Sequence, residues 1–343
     1  MRLALAFYSV LKMPIEDIIA CSIAAEEAGF EYISMAESFY RDAAVLGTAI
    51  ASRTVRVKFG SSIFPIHTRT PFQIAMAAAT LNEYSNGRLG FIGLGSGYRS
   101  RIEKYFGITA DNPLTKIKEH ADVIRGLLSG SDFTYSGRFF RCEGFPSPAS
   151  RPLNVPILFA ASGDKMLQLA GQVADGIIMN SIGMPEYYRH ALSVLRDGAK
   201  ESGKDKRKHE VAASIIFSVA DRHDDAIEAA KLDVLFYFQY PELDPVIAKT
   251  PYERRVSEIR KLSARGNSKQ ALSLVTDEMV ETLAVAGTPK ECRNKIRKLN
   301  DYGITIPVIR VSVQPFKEQE RIRIFLKAIE ALKDIPSTEK NNQ

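Results

Sequence analysis

A chain of 343 residues, 45% hydrophobic and 25% charged, can bury two average cores or one closed α/β barrel with insertions. No run of about 20 apolar residues occurs, which argues against a membrane-spanning helix. The formal net charge of +6 comes from dispersed side chains, so it argues against a nucleic-acid-binding face and suits steering of anionic small molecules.

In chain order, Leu3 to Phe7 reads as a first strand rather than a leader segment, and a cytoplasmic protein is expected. Pro14 opens a helix whose apolar residues recur at helical spacing until Gly29. Tyr32 to Ala36 is a second strand, and Asp42 caps the helix that follows. Lys58 to Ile63 is a third strand, Pro71 starts the next helix, and Leu89 to Leu94 form a fourth strand ending in GLGSG at 93 to 97. A polar stretch, a helix from about Leu114 to Leu128 and a hairpin turning at Ser136 and Gly137 come next. Strands then start near 157, 176, 211 and 308, with helices between.

Residues 224–281 read as helices alone, an insertion in the alternating pattern. Eight strands with intervening helices predict an α/β fold, a (β/α)8 TIM barrel in one domain over 1–335. The polar tail 336–343 is expected to be disordered.

Cys21, Cys142 and Cys292 are odd in number and form no CxxC pair, and the five histidines show no HExxH spacing. Neither a disulfide framework nor a metal site is expected. The run Lys204, Lys206, Arg207 and Lys208 is mixed with acidic residues and reads as a solvated loop.

A barrel places its chemistry at the C-terminal strand ends. The residues there are Tyr8 and Ser9, Glu37 and Ser38, Ser61 to His67, Gly95 to Tyr98, Ala160 to Lys165, Asn180 and Ser181, and Ser312 with Gln314. They are mostly small and neutral, which suits a flat organic cofactor better than hydrolysis. The loop from Ala161 to Lys165 precedes a helix, so a phosphate site with Lys165 as counter-charge and a plain glycine turn fit it equally. GLGSG lacks the spacing of a dinucleotide fingerprint.

The stretch SSIFPIHTRTPFQIAMAAATLNEYSNGRLGFIGLGSGY, with Arg69, Pro71, Ser85, Gly87 and Arg88, resembles the signature of the bacterial luciferase-like superfamily. KMLQLAGQVADGIIMN at 165–180 and LVTDEMVETLAVAGTPKECRNKI at 274–296 are similar to its coenzyme F420-dependent branch, the methylenetetrahydromethanopterin reductases in particular. The resemblance implies a homodimeric barrel that moves hydride between C5 of a deazaflavin and a pterin-type or small organic substrate. It implies a non-prolyl cis peptide at Ser62-Ile63, after Ser61, and phosphate loops at Gly95, Ser96 and Gly97 and at Ser162, Gly163 and Lys165. Ala160, Ala161 and Asn180 complete the cofactor set. Two positions depart from the branch: Tyr8 stands where its first strand carries a carboxylate, and Glu37-Ser38 stands where it carries an acid and a histidine.

Glu37 is the first candidate for general acid, since a carboxylate beside an apolar ring holds its proton more tightly, and Tyr8 is the second. Alternatively, Glu37 caps the next helix or pairs with Arg41. A flavin mononucleotide (FMN) monooxygenase of the same superfamily is the alternative function. A barrel that binds the cofactor without turnover is another. An aldolase or isomerase barrel would want a catalytic lysine or paired carboxylates, which the strand ends lack.

Overall fold

Short runs rich in alanine, valine, isoleucine and phenylalanine supply eight parallel strands: β1 (Ala4–Phe7), β2 (Tyr32–Met35), β3 (Lys58–Ser61), β4 (Leu89–Gly95), β5 (Ile157–Ala160), β6 (Gly176–Met179), β7 (Glu210–Val219) and β8 (Ile306–Val311). Each pairs with the next, and β1 closes on β8 through Ala4 opposite Val308 and Leu5 opposite Ile309. The result is the closed α/β barrel expected of the alternating pattern. The computed structural model describes residues 1–8, 12–37, 40–203, 209–333 and 335. Ser9, Ser38, the basic run at 204–208 and the tail 336–343 lie outside the described residues.

Alternation along each strand sends one set of side chains inward. Ala4, Ala6, Tyr32, Phe91, Leu158, Ile178, Ala212, Ile306 and Val308 fill the barrel, with Tyr8 and Ile63 packed on that column. Gly60 makes the column possible, because a Cβ there would lie 2.1 Å from Cζ of Phe91. The opposite faces, such as Leu5, Phe7, Ile33 and Phe159, pack against the surrounding helices.

Local chemistry sets the helix starts. Asp42 accepts from the amides of Ala44 and Val45, and Thr70 forms a capping box with Gln73 ahead of Pro71. Helices occupy the stretch from His223 to Leu283, close to the expected insertion. No described helix is long and apolar enough to cross a membrane.

Four details differ from the sequence expectation. The polar stretch after Gly97 contains a helix, Arg99–Phe106, stopped by Gly107 in the left-handed region. The hairpin pairs Ser136 with Arg141, so its turn spans 137–140 rather than Ser136 and Gly137. Glu119 fixes that loop by accepting from the amides of Arg138, Phe139 and Phe140. Short strands at Phe64–Pro65 and Val285–Gly287 were not expected from the pattern either.

The signature residues at the N-terminal barrel face are architectural. Arg88 donates to the carbonyl oxygens of Ser85, Ala51, Thr54 and Val57 and to the Thr54 hydroxyl, satisfying the end of the helix Ala43–Ala51. Asn86 and Gly87, at φ 56° and 82°, make the turn that brings it there.

Candidate active site

A cavity of about 480 Å³ opens at the C-terminal ends of the strands, and every strand contributes to it. Tyr8 follows β1, Glu37 follows β2, Ser62 and Ile63 follow β3, and Ser96 and Gly97 follow β4. Ala160 to Gly163 come from the end of β5, Asn180 and Ser181 from β6, Ser214 from β7 and Arg310 from β8. The Ser62-Ile63 peptide is cis, as the resemblance implies. Ser62 donates its amide to Met35 O at 2.9 Å, and its hydroxyl lies 2.6 Å from that of Ser34.

Three expected cofactor residues do not line the cavity. Ser61 is buried, where its hydroxyl donates to Gly93 O at 3.0 Å and accepts from Gly93 N at 2.8 Å. Gly95 lies behind Ile63, whose Cγ1 would be 2.9 Å from a Cβ at that position. Lys165 is exposed on the first turn of the helix Asp164–Val173, and Met166 takes the cavity-facing place. Its expected counter-charge is therefore not at the cavity wall, where the cations are Arg101 and Arg310.

Glu37 lines the cavity, yet its surroundings are not the apolar ones expected of a proton donor. One oxygen accepts from Arg69 Nε at 2.6 Å and the other from Ala43 N at 3.0 Å. Arg69 also pairs with Asp42, while the guanidinium of Arg41 goes to Met13 O instead. Glu37 is thus an ion-pair partner and a cap of the helix Ala43–Ala51, with both oxygens engaged. Signature residue Arg69 thus ties the end of β2 to the start of the next helix.

Tyr8 heads a line of hydroxyls. Its oxygen lies 3.1 Å from Ser214 Oγ, which lies 2.7 Å from Ser181 Oγ, and Ser181 donates to the Tyr237 oxygen at 2.7 Å. Burial pushes the Tyr8 phenol well above its ordinary value, with Tyr237 adding to the effect and Arg310 opposing it. Arg310 and Asp233 form a fully buried ion pair, and the guanidinium lies 4.4 Å from the Tyr8 ring centre and 4.9 Å from that of Tyr237. Burial disfavours the Arg310 charge, but Asp233, with Tyr237 and Tyr8, more than offsets this and holds the group protonated.

Aromatic rings cover one side of the cavity. Tyr98 and Tyr240 stack with centres 3.7 Å apart, and Arg101 lies 5.0 Å from the centres of both Phe236 and Tyr240. Asn180 donates to the Tyr98 hydroxyl at 3.4 Å, and Glu242 accepts from Arg99 N at 2.8 Å. Ser214, Tyr237, Arg101 and Arg310 were not foreseen as site residues. Arg310 had a visible signal, a charge inside the apolar strand IPVIRV.

Among the described residues, no three His, Cys, Asp or Glu side chains are grouped so as to hold a metal ion. The cleft can enclose a flat organic molecule, present backbone amides to an anionic group and offer phenolic protons.

The luciferase-like monooxygenase family model matches residues 5–305. A 5,10-methylenetetrahydromethanopterin reductase from Methanolobus tindarius is 32% identical over 298 residues, covering 86% of this chain and 90% of its own. The solved structure of the coenzyme F420-dependent tetrahydromethanopterin reductase from Methanopyrus kandleri superposes with a TM-score of 0.82 at 26% identity, over 97% of this chain and 99% of that one. An F420-dependent secondary alcohol dehydrogenase, in complex with an F420-acetone adduct, has the same fold, with a TM-score of 0.75 at 22% identity over 97% and 100% of the two chains. With its barrel, its signature turn and near full-length relatives in agreement, this chain belongs to the luciferase-like monooxygenase family.

Proposed function

We propose that this chain is a coenzyme F420-dependent oxidoreductase acting on a pterin-type or small organic substrate, as a single-domain barrel over 1–335 that works as a cytoplasmic homodimer. The observation that carries the proposal is the near full-length match, in sequence and in fold, to reductases that use this coenzyme. Bound deazaflavin would supply a carbon that gives or takes hydride.

The residues fit such a group. Ser62, Ile63 and Asn180 line the cavity and would hold the ring. Gly97, at φ 68°, presents backbone without a Cβ, and Gly163 precedes the ten-residue helix Asp164–Val173. Amides of Ser96 and Gly97, and of Ala161 to Gly163, would face the coenzyme phosphate, with Ala160 beside them. Ser61 and Gly95 support this wall from behind, and Lys165 lies outside it. The protein's task is positioning and exclusion of water. Tyr8 is better placed than Glu37 as acid, since both Glu37 oxygens are engaged.

The test is an anaerobic mixture of purified protein, reduced coenzyme F420 and 5,10-methylenetetrahydromethanopterin. Catalysed return of the deazaflavin absorbance is expected. Oxygen-dependent turnover of reduced FMN, with the deazaflavin left reduced, would overturn the proposal in favour of a monooxygenase.

A further inference from the structure

Four hydroxyls in line within a barrel interior are costly unless each has a partner, so their connection is a built feature. Tyr8, Ser214, Ser181 and Tyr237 all line the cavity, in contact one to the next at 3.1, 2.7 and 2.7 Å. Ser181 is 2% exposed and Tyr237 5%, whereas Tyr8 is half-buried at the cavity wall. Each hydroxyl has one hydrogen and can accept another, so the line can run in either direction. Arg310 lies over both terminal rings, where its charge would stabilise a phenolate at either end. Of the carboxylates lining the cavity, Glu37 is ion-paired and Glu242 holds the amide of Arg99 at the start of its helix.

We propose that Tyr8 delivers the proton that accompanies hydride transfer to a nitrogen-bridged methylene or a carbonyl carbon, and that Ser214, Ser181 and Tyr237 reload it. This rests on the deazaflavin function proposed above. Reduced deazaflavin would supply the hydride to the substrate carbon, and the pair of the bond that breaks there, a C–N bond of a methylene bridge or the π bond of a carbonyl, moves onto the nitrogen or oxygen. That atom takes hydrogen from Tyr8 as the phenolic O–H bond breaks. Ser214 then passes its hydrogen to Tyr8, Ser181 to Ser214 and Tyr237 to Ser181, and water at the cavity mouth restores Tyr237. The direction with Ser181 donating to Tyr237 is the one left after this transfer. The groups facing the Tyr8 phenol are Arg310, Tyr237, Asp233 and Ser214, and burial keeps it protonated until it acts.

The test compares wild type with Tyr8→Phe, which keeps the ring under Arg310, and Ser214→Ala. With reduced coenzyme F420 and 5,10-methylenetetrahydromethanopterin, Tyr8→Phe lowers kcat by about 100-fold or more, while the deazaflavin Kd from fluorescence titration stays within about twofold. Its residual rate rises as pH falls, because hydronium replaces the phenol. In protein labelled with 3-fluorotyrosine, the Tyr8 resonance, assigned by its loss in Tyr8→Phe, shifts in Ser214→Ala. Wild-type protein that binds no deazaflavin would refute the proposed function. Normal binding with a Tyr8→Phe kcat within about threefold of wild type would overturn this inference alone. A Tyr8 resonance indifferent to Ser214→Ala would overturn the relay even without turnover.

Discussion

Asp233→Ala leaves Arg310 as a buried charge without its partner. The two side chains are 1% and 3% exposed, and Gln314 Nε2 also donates to the Asp233 carboxylate at 3.0 Å. Removing one member of such a pair costs roughly 3–5 kcal/mol, because the remaining guanidinium keeps its desolvation penalty and loses the opposing charge. An unfolding entropy of about 2.1 cal/mol/K per residue over 343 residues gives roughly 0.7 kcal/mol/K, so Tm should fall by about 4–7 °C. Differential scanning calorimetry reads this directly. The double variant Asp233→Leu with Arg310→Met removes both charges and should recover more than half of the loss. A single-variant shift under about 1 °C, or a double variant no better than the single, would refute the role given to this pair.

Two other perturbations separate architecture from chemistry. Arg88→Lys loses most of the five hydrogen bonds that its fork makes, lowering stability by about 2–3 kcal/mol in urea unfolding while deazaflavin affinity is unchanged. Unaltered stability would contradict that role. His67 is pushed down to about 4 by burial, with Lys116 and His120 adding positive charge nearby. The folded protein therefore takes this proton less readily than the unfolded chain, so stability is intact above pH of about 6.5 and is lost as pH falls toward 4. His67→Leu should reduce the drop in urea stability between pH 7 and pH 4 by up to about 3 kcal/mol, and parallel pH curves for the two proteins would refute this.

The barrel was legible because its signals are local. Eight apolar runs, proline and threonine helix starts and the Ser85–Arg88 turn each act within a few residues. Positions on the cavity wall were legible where they follow a strand end, at Tyr8, Glu37, Ser62-Ile63, Ser96-Gly97, Ala160 to Gly163 and Asn180-Ser181. Side-chain partnerships were not, because they join distant segments. Glu37 meets Arg69 from 32 residues away, and Tyr8 meets Ser214 from 206. No periodicity carries such a pairing, so Glu37 read as an acid or a helix cap without its partner Arg69, and Ser214 as one residue of an apolar strand. Lys165 failed through helix phase: one residue is about 100° of rotation, enough to turn Met166 inward and Lys165 to solvent.

Choice of cofactor is the claim on which the rest depends, and a competition titration tests it most directly. The chain has no tryptophan, so fluorescence of coenzyme F420 or of FMN can be followed without indole background. Saturable binding of the deazaflavin, not displaced by equimolar FMN, is the expected result. Stoichiometric binding of FMN with no measurable binding of coenzyme F420 would contradict it.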